Sequence, residues 1–297
     1  MMRTSPPARR VGRTRGFTLV EAIVVIVVIG IVGAIVAVFI RAPVQGYVDT
    51  AARAEMSDEA DLALRRMARD IRLALPNSVR VSGNGSADGA VIEFLITRSG
   101  GRYLSPEDAV PGLPVLDFVN PANRSFTVVG TLREALNAGD RIAVNNVGLA
   151  PADAWQAGAD QSNVAVVEEG APAGAVHPVV KLADNPFGRQ LVSMPSPGQR
   201  FHVLGGTVSY RCEAAGGGFV LARYSGFPVT AAPAAPPAGT ARAVIASRLA
   251  GCANLFEYGQ LETRRSGLVV LTLSLRARND NNAVVRLVHQ VHVDNTP

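Results

Sequence analysis

The sequence predicts an α+β fold in which one long N-terminal helix packs on a mainly antiparallel β-sheet. Three observations predict this arrangement. Residues 17–40 form a run of 24 residues that is apolar except for one charge. A helix-forming stretch with apolar residues at spacings of three and four continues to Leu75. Beyond residue 77, short segments rich in β-branched residues alternate with Gly, Pro, Asn and Asp.

The positive charge of the chain is concentrated at its N-terminus. The 297 residues carry a formal net charge of +5, and residues 1–16 contain five arginines and no acidic residue. The remainder is therefore neutral. A neutral body argues against a broad nucleic-acid-binding surface, and we expect no nucleic-acid partner.

The apolar run is long enough to cross a lipid bilayer. As a helix, Phe17–Ile40 would extend for about 36 Å, against roughly 30 Å of hydrocarbon. The arginines before it predict a cytoplasmic N-terminus and an exported C-terminal body. A cleaved secretory signal would be shorter and would end in a small-residue site, which is missing here. An ordinary signal anchor would fit the length but leaves the charge within the run unexplained, and the core helix of a soluble protein leaves the preceding arginines unexplained.

Glu21 is the unusual residue of this run, because it places a carboxylate five residues into an apolar segment. An unpaired charge in hydrocarbon costs about 2–3 kcal/mol or more. If the chain were cut before Phe17, a new amino group would appear one helical turn from Glu21. In a bundle of such helices, Glu21 of one subunit could pair with the Phe17 amine of another. That pair would offset the cost of burial and set the axial register between subunits.

Residues 15–21, with the sequence Arg-Gly-Phe-Thr-Leu-Val-Glu, resemble the class III signal of type IV prepilins and type II secretion pseudopilins. The resemblance implies cleavage by prepilin peptidase between Gly16 and Phe17 and N-methylation of Phe17. It also implies a type IV pilin-like fold, assembly with other pilins or pseudopilins through Glu21, and contact with an inner-membrane assembly platform. A methylated amine keeps its charge, so the proposed pair with Glu21 persists. The protein would then reside in the bacterial inner membrane as a single-pass subunit before entering a pilus or pseudopilus.

Four segments are predicted: a cleaved basic leader at 1–16, a membrane-spanning part of the helix at 17–40, its amphipathic continuation at 41–76 and a periplasmic β-rich domain at 77–297. Pro43 predicts a kink or a locally melted turn near 39–46. The continuation contains two candidate i,i+4 ion pairs, Asp61–Arg65 and Arg66–Asp70. Its apolar stripe is expected to pack on the protein's own sheet and comprises Val48, Ala52, Met56, Ala60, Leu64, Met67, Ile71 and Leu75.

After residue 77, turn-forming Gly, Pro, Asn and Asp residues separate short apolar segments, as is typical of a β-rich domain. Two stretches, Gly148–Pro178 and Gly226–Gly239, are expected to be mainly loops, and the second is mobile or extended in our interpretation. Residues 278–282 predict a hairpin turn between the last two strands. The predicted strands are Val79–Val81, Val91–Thr97, Val115–Phe118, Ser125–Val129, Arg141–Asn145, Val164–Val167, Val179–Leu182, Arg200–Leu204, Thr207–Cys212, Phe219–Tyr224, Val244–Arg248, Leu268–Leu275 and Val284–Val293, with Leu268–Leu275 central.

A looser resemblance extends into the body. Residues 44–51, 63–72 and 289–297 are similar to the biogenesis protein O family of the mannose-sensitive haemagglutinin (MSHA) pilus. The resemblance implies a minor pilin of such a system. The minor pseudopilin J family of type II secretion shares the architecture and remains the alternative.

The two cysteines, Cys212 and Cys252, are expected to form a disulfide, because an exported domain folds in an oxidising compartment. Such a bridge would close a loop of roughly 40 residues and stabilise the fold by about 4 kcal/mol on the chain-entropy model. Two unrelated buried thiols are the alternative.

The sequence offers no catalytic constellation, so we expect a subunit without enzymatic activity, cofactor or metal. There is no Gly-x-Ser-x-Gly elbow and no P-loop. His289 and His292 would lie on opposite faces of a strand, and all four histidines, with His177 and His202, are expected to be ordinary strand or loop residues. Residues 279–282 and the pair Glu168–Glu169 supply oxygen atoms, but a solvated turn is favoured over a calcium loop. A membrane-anchored periplasmic enzyme or receptor is the rival class.

Overall fold

The computed structural model describes residues 16–83, 89–156, 158, 162–260, 266–277 and 283–297. Most of the leader, the proposed 278–282 turn and its calcium alternative therefore lie outside the described residues. The chain divides into two compact units, one ending at Ala52 and the other comprising Arg53–Pro297. Helix α1, Leu19–Arg72, continues from the first into the second.

The N-terminal unit contains the apolar part of α1. By length and composition this is the one helix in the described part of the chain that could cross a membrane. The helix continues without interruption through Pro43, so the locally melted turn, one of the two alternatives expected near 39–46, is wrong, and the kink stays a prediction. An internal proline removes one backbone hydrogen bond, and the neighbouring helical turns retain theirs.

The second unit contains the remainder of α1 and the sheet. Every pairing between its strands is antiparallel, as predicted, and the α+β fold class is confirmed. Along the main path the order is β1-β2-β3-β6-β5-β4-β7-β8-β9-β11-β10, and β12 pairs with β11. The strands are β1 (Arg80–Ser82), β2 (Val91–Tyr103), β3 (Ser125–Val129), β4 (Arg141–Val144), β5 (Val164–Glu169), β6 (Val179–Leu182), β7 (Arg200–Ala215), β8 (Gly218–Ser225), β9 (Ala241–Leu249), β10 (Phe256–Gln260), β11 (Ser266–Arg276) and β12 (Val284–Asp294).

Two strand predictions need correction, and one strand was missed. Val115–Phe118 is not a strand: Asp117 accepts hydrogen bonds from the amides of Val119 and Asn120 and holds the chain in a turn. The two strands predicted within 200–212 are one continuous strand, β7. Strand β10 was not predicted, because Phe256–Gln260 has no β-branched residue.

From Met56 to Ile71 the amphipathic stripe of α1 packs in the main core of this unit, as predicted, but Val48 is 46% exposed, so the prediction is wrong for that residue. Met56, Ala60, Met67 and Ile71 are fully buried there with inward-facing residues of β2, β7, β11 and β12. Alternate residues of β11 are buried and it has strands on both sides, which confirms it as a central strand. A second core lies among β3, β4, β5, β6 and parts of β2 and β7.

Two acidic residues of α1 illustrate how the helix meets the sheet. Asp70 accepts hydrogen bonds from the Tyr210 hydroxyl at 2.8 Å and from Arg223 Nε at 2.7 Å. The predicted Arg66–Asp70 pair is therefore wrong, since Asp70 turns inward to the sheet. The Asp61–Arg65 pair is confirmed at 2.6 Å, with both side chains exposed.

Candidate functional site

The candidate site is the start of α1. Gly16, Phe17 and Thr18 precede the first helical residue, Leu19. The Thr18 hydroxyl accepts a hydrogen bond from the Glu21 amide at 3.2 Å, and the Thr18 carbonyl accepts one from Ala22 at 3.1 Å. Thr18 is thus the N-cap residue of the helix, and Glu21 occupies its third position.

Thr18 is a functional residue that our sequence reasoning missed. Its signal was present: a Ser or Thr followed three residues later by Glu is a capping-box pattern. The cap fixes where the helix begins, and this start leaves Phe17 outside the helix, next to the predicted cleavage position. A carboxylate in the first helical turn is also favoured by the positive end of the helix dipole. Glu21 therefore has a stabilising role within its own helix besides any role between subunits.

The surroundings of Glu21 are apolar and solvent-accessible. Phe17 and Leu19 are each 77% exposed, and the large apolar residues of the following turns are exposed on every side. A helix that is apolar around its whole circumference requires a lipid or protein environment to cover it. Glu21 is the single acidic residue between Phe17 and Ile40. The arrangement can therefore hold one carboxylate in a helix surface that is otherwise suited to hydrocarbon.

The two cysteines are joined, as predicted, by a disulfide between Cys212 on β7 and Cys252 beyond the end of β9. Both residues belong to the main core. The loop 226–239 lies between them in sequence. Two arginines hold this loop against the sheet: Arg80 donates to the carbonyls of Thr230 and Ala231, and Arg211 donates to that of Ala234. The loop contains no strand or helix and is held at several points.

The histidines do not come together. His289 is half-buried and His292 is exposed, which agrees with opposite faces of β12. Burial lowers the pKa of His202, and Nδ1 of His177 accepts a hydrogen bond from the Gly130 amide. Glu168 and Glu169 both pair with Lys181. Within the described ranges there is no cluster of His, Cys, Asp or Glu that could hold a metal ion.

Comparison with known families gives one match. The prokaryotic N-terminal methylation motif matches residues 12–37, which include the predicted cleavage position, the Thr18 cap, Glu21 and much of the apolar helix. Curated proteins and solved structures gave no match. The motif implies processing by prepilin peptidase and assembly with other pilins, and with the apolar helix it fits a single-pass membrane-anchored pilin. The match therefore supports a type IV pilin-like or pseudopilin protein that is processed by prepilin peptidase.

Proposed function

We propose that the chain is a minor pilin that is incorporated into, or primes, a type IV pilus resembling the MSHA system. The observation that carries the proposal is the position of Glu21. It is the only charge between Phe17 and Ile40, and it lies inside the matched methylation motif. An acid in this position needs a partner, and the amine released by cleavage after Gly16 supplies one of opposite charge.

The proposed sequence of events begins in the inner membrane. The chain inserts with its N-terminus in the cytoplasm and residues 77–297 in the periplasm. Prepilin peptidase then cuts the Gly16–Phe17 bond and methylates the Phe17 amine. The assembly platform extracts the mature subunit from the bilayer into a filament, where repeated heterologous contacts follow a screw axis. The subunit has no enzymatic role, cofactor or metal in this proposal.

Processing is tested by intact-mass analysis of the protein from cells with an active prepilin peptidase. The expected chain begins at methylated Phe17. A chain that retains Met1 under these conditions would contradict the proposal and favour the anchored enzyme or receptor.

Assembly is tested separately with Glu21→Val. We expect normal leader cleavage but reduced incorporation into filaments, because the carboxylate that pairs with the neighbouring amine is lost. Glu21→Asp keeps the charge, and Ala22→Val changes side-chain bulk at the next position without changing charge. Equal incorporation of Glu21→Val and the Ala22→Val control would refute the pairing mechanism.

A minor pseudopilin of a type II secretion system is the second candidate, because the same motif is expected there. The two are separated by the filament with which the processed protein copurifies. Copurification with a pilus supports the MSHA-like proposal, and copurification with secretion pseudopilins replaces it.

A further inference from the structure

Among the residues that the structure describes, one edge of strand β12 pairs with no other strand. Strand β12 pairs with β11 through eleven consecutive residues without a register shift. No strand in the described part of the chain pairs with its other side. At about 3.3 Å per residue, this edge is about 36 Å long.

The hydrogen bonds of β11 identify which groups face the unpaired edge. The Thr272 amide donates to the Leu255 carbonyl at 2.9 Å, so Thr272 directs its backbone groups away from β12. In an antiparallel ladder, directly opposed residues either exchange both hydrogen bonds or neither. Val288, which opposes Thr272, therefore presents its amide and carbonyl to the open edge.

A second hydrogen bond of β11 leads to the same assignment of outward-facing residues in β12. The Ser274 carbonyl accepts from the Ala250 amide at 2.7 Å, so Arg286, which opposes Ser274, also presents its backbone groups outward. By alternation the even-numbered residues of 284–294 do so, while the odd-numbered residues bond to β11. The edge thus offers six residues, each with one donor and one acceptor.

The edge lacks most features that keep edge strands from pairing. It contains no proline and no bulge along the ladder with β11. Val284 and Val288 are 47% and 55% exposed on its outer face. Charged side chains occur only at Arg286 and Asp294. A long, regular edge of this kind is suited to accept an additional strand.

A cationic groove borders the inner face of β12. Its volume is about 710 Å³, and among the described residues the only strand that lines it is β12, through His289. The charged residues of α1 that line it are Asp61, Arg65, Arg69 and Arg72. Three arginines and one aspartate give the lining of this groove a net charge of +2. Arg69 and Arg72 are exposed, and in the described ranges neither forms an ion pair.

The two features meet at His289. A strand added to the edge of β12 would direct alternate side chains to the inner face, next to His289 and the groove. We propose that this edge binds an extended segment of another protein that carries carboxylates at alternate positions. Backbone hydrogen bonds to the even-numbered residues supply the pairing, and the unpaired arginines of α1 select acidic side chains.

A second copy of β12 does not meet this description. The inward-facing residues of β12 from Val285 to Val293 include no acid, so an edge-to-edge dimer would leave the groove without counter-charge. The proposed surface is also independent of leader cleavage, because it involves no residue before Asp61.

The test uses the full-length chain in detergent micelles and a nine-residue peptide in which glutamate alternates with threonine. A peptide with lysine in place of glutamate controls for charge. Val288→Pro removes one outward-facing amide and leaves the β11 ladder intact, and Val288→Thr is its matched control. The double variant Arg69→Glu, Arg72→Glu reverses the charge of the groove. Its control is Arg133→Glu, because Arg133 is exposed and forms no ion pair in the described part of the chain.

Binding is measured by fluorescence anisotropy of the labelled peptide. We expect saturable binding of the glutamate peptide, with at least about tenfold weaker binding of the lysine peptide. Val288→Pro and the double charge reversal should each weaken binding about tenfold, and both controls should bind like the unmodified chain. The charge variants test the proposal even if the proline variant does not fold.

Three results would overturn the inference. The first is no saturation by about 1 mM glutamate peptide. The second is equal binding of the glutamate and lysine peptides. The third is self-association of the chain through β12 without peptide binding.

Discussion

Replacing Asp70 with asparagine should be much more damaging than the same replacement at Asp61. Both residues lie on α1 and both pair with an arginine, but their environments differ. The side chains of Asp70 and Arg223 are 14% and 18% exposed, whereas those of Asp61 and Arg65 are 46% and 72% exposed. Both substitutions remove one negative charge, but only the Asp70–Arg223 pair is largely shielded from water.

The magnitude follows from what Asp70→Asn leaves behind. Arg223 would retain a largely buried charge without its counter-ion, and the fully buried Tyr210 would lose a charged acceptor. Removing one partner of a buried pair costs about 3–5 kcal/mol, and residual exposure reduces this to about 2–4 kcal/mol. Asp61→Asn should cost about 0–0.5 kcal/mol, because exposed i,i+4 pairs contribute little.

Urea unfolding of the full-length chain in micelles measures the difference. Trp155 is the single tryptophan and is buried in the second unit, so its fluorescence reports on that unit. Arg223→Met in the Asp70→Asn background should restore part of the lost stability, since the stranded charge is removed. Equal unfolding midpoints for Asp70→Asn and Asp61→Asn would refute the reasoning.

Three further predictions concern the same unit. Burial opposes ionisation of Glu59, but hydrogen bonds from Ser247 and Arg248 outweigh it and lower the pKa. The ionised Glu59 carboxylate therefore stabilises the fold above its unfolded pKa, and this stabilisation is lost as the pH falls through its lower folded pKa. Glu59→Gln should lower the free energy of unfolding by about 1–2 kcal/mol at pH 7. In urea titrations this difference should become smaller below about pH 4.5. Replacing both Cys212 and Cys252 with alanine should lower the free energy of unfolding by about 4 kcal/mol, measured against the oxidised chain; an unchanged midpoint would contradict this. Arg80→Met should release the loop 226–239 and speed its proteolysis in limited digestion, whereas Arg133→Met, an exposed control, should not.

The sequence predicted most of the second unit because local pattern and tertiary environment agree there. Strands β3 and β6 have the predicted ends, and the stripe of α1 is buried from Met56 onward. Strand β2 is longer than predicted because Gly100 and Gly101 resemble turn residues. Both lie within the strand, at positions where β7 comes too close for a larger side chain. A Cβ at Gly100 would be 2.8 Å from the Phe201 carbonyl oxygen, and one at Gly101 would be 2.9 Å from the Phe201 ring. Only the pairing with β7 reveals that requirement.

The candidate site was predictable to a different extent. Phe17 and Glu21 could be identified because an isolated acid in an apolar run is unusual in any fold. The partners of Asp70 could not, because Tyr210 and Arg223 are more than 130 residues away in sequence and helix spacing alone favoured Arg66. Local spacing identifies which side chains share a helix face, but not which face the sheet will cover. The same limit applies to β12, whose sequence predicts a strand but not an open edge.

The acidic residues in the two halves of α1 differ in whether the chain itself provides a partner for the carboxylate. Between Arg53 and Arg72 the acids Glu59 and Asp70 are satisfied within the chain, by Ser247 and Arg248 and by Tyr210 and Arg223. In the described part of the chain the side-chain carboxylate of Glu21 has no hydrogen-bond or ion-pair partner, although its amide donates to the Thr18 hydroxyl. A carboxylate whose counter-charge is supplied within the chain stabilises the monomer, whereas one without it favours association with a molecule that provides the charge. This difference supports the proposal that Glu21 acts in assembly, whereas Glu59 and Asp70 stabilise the fold.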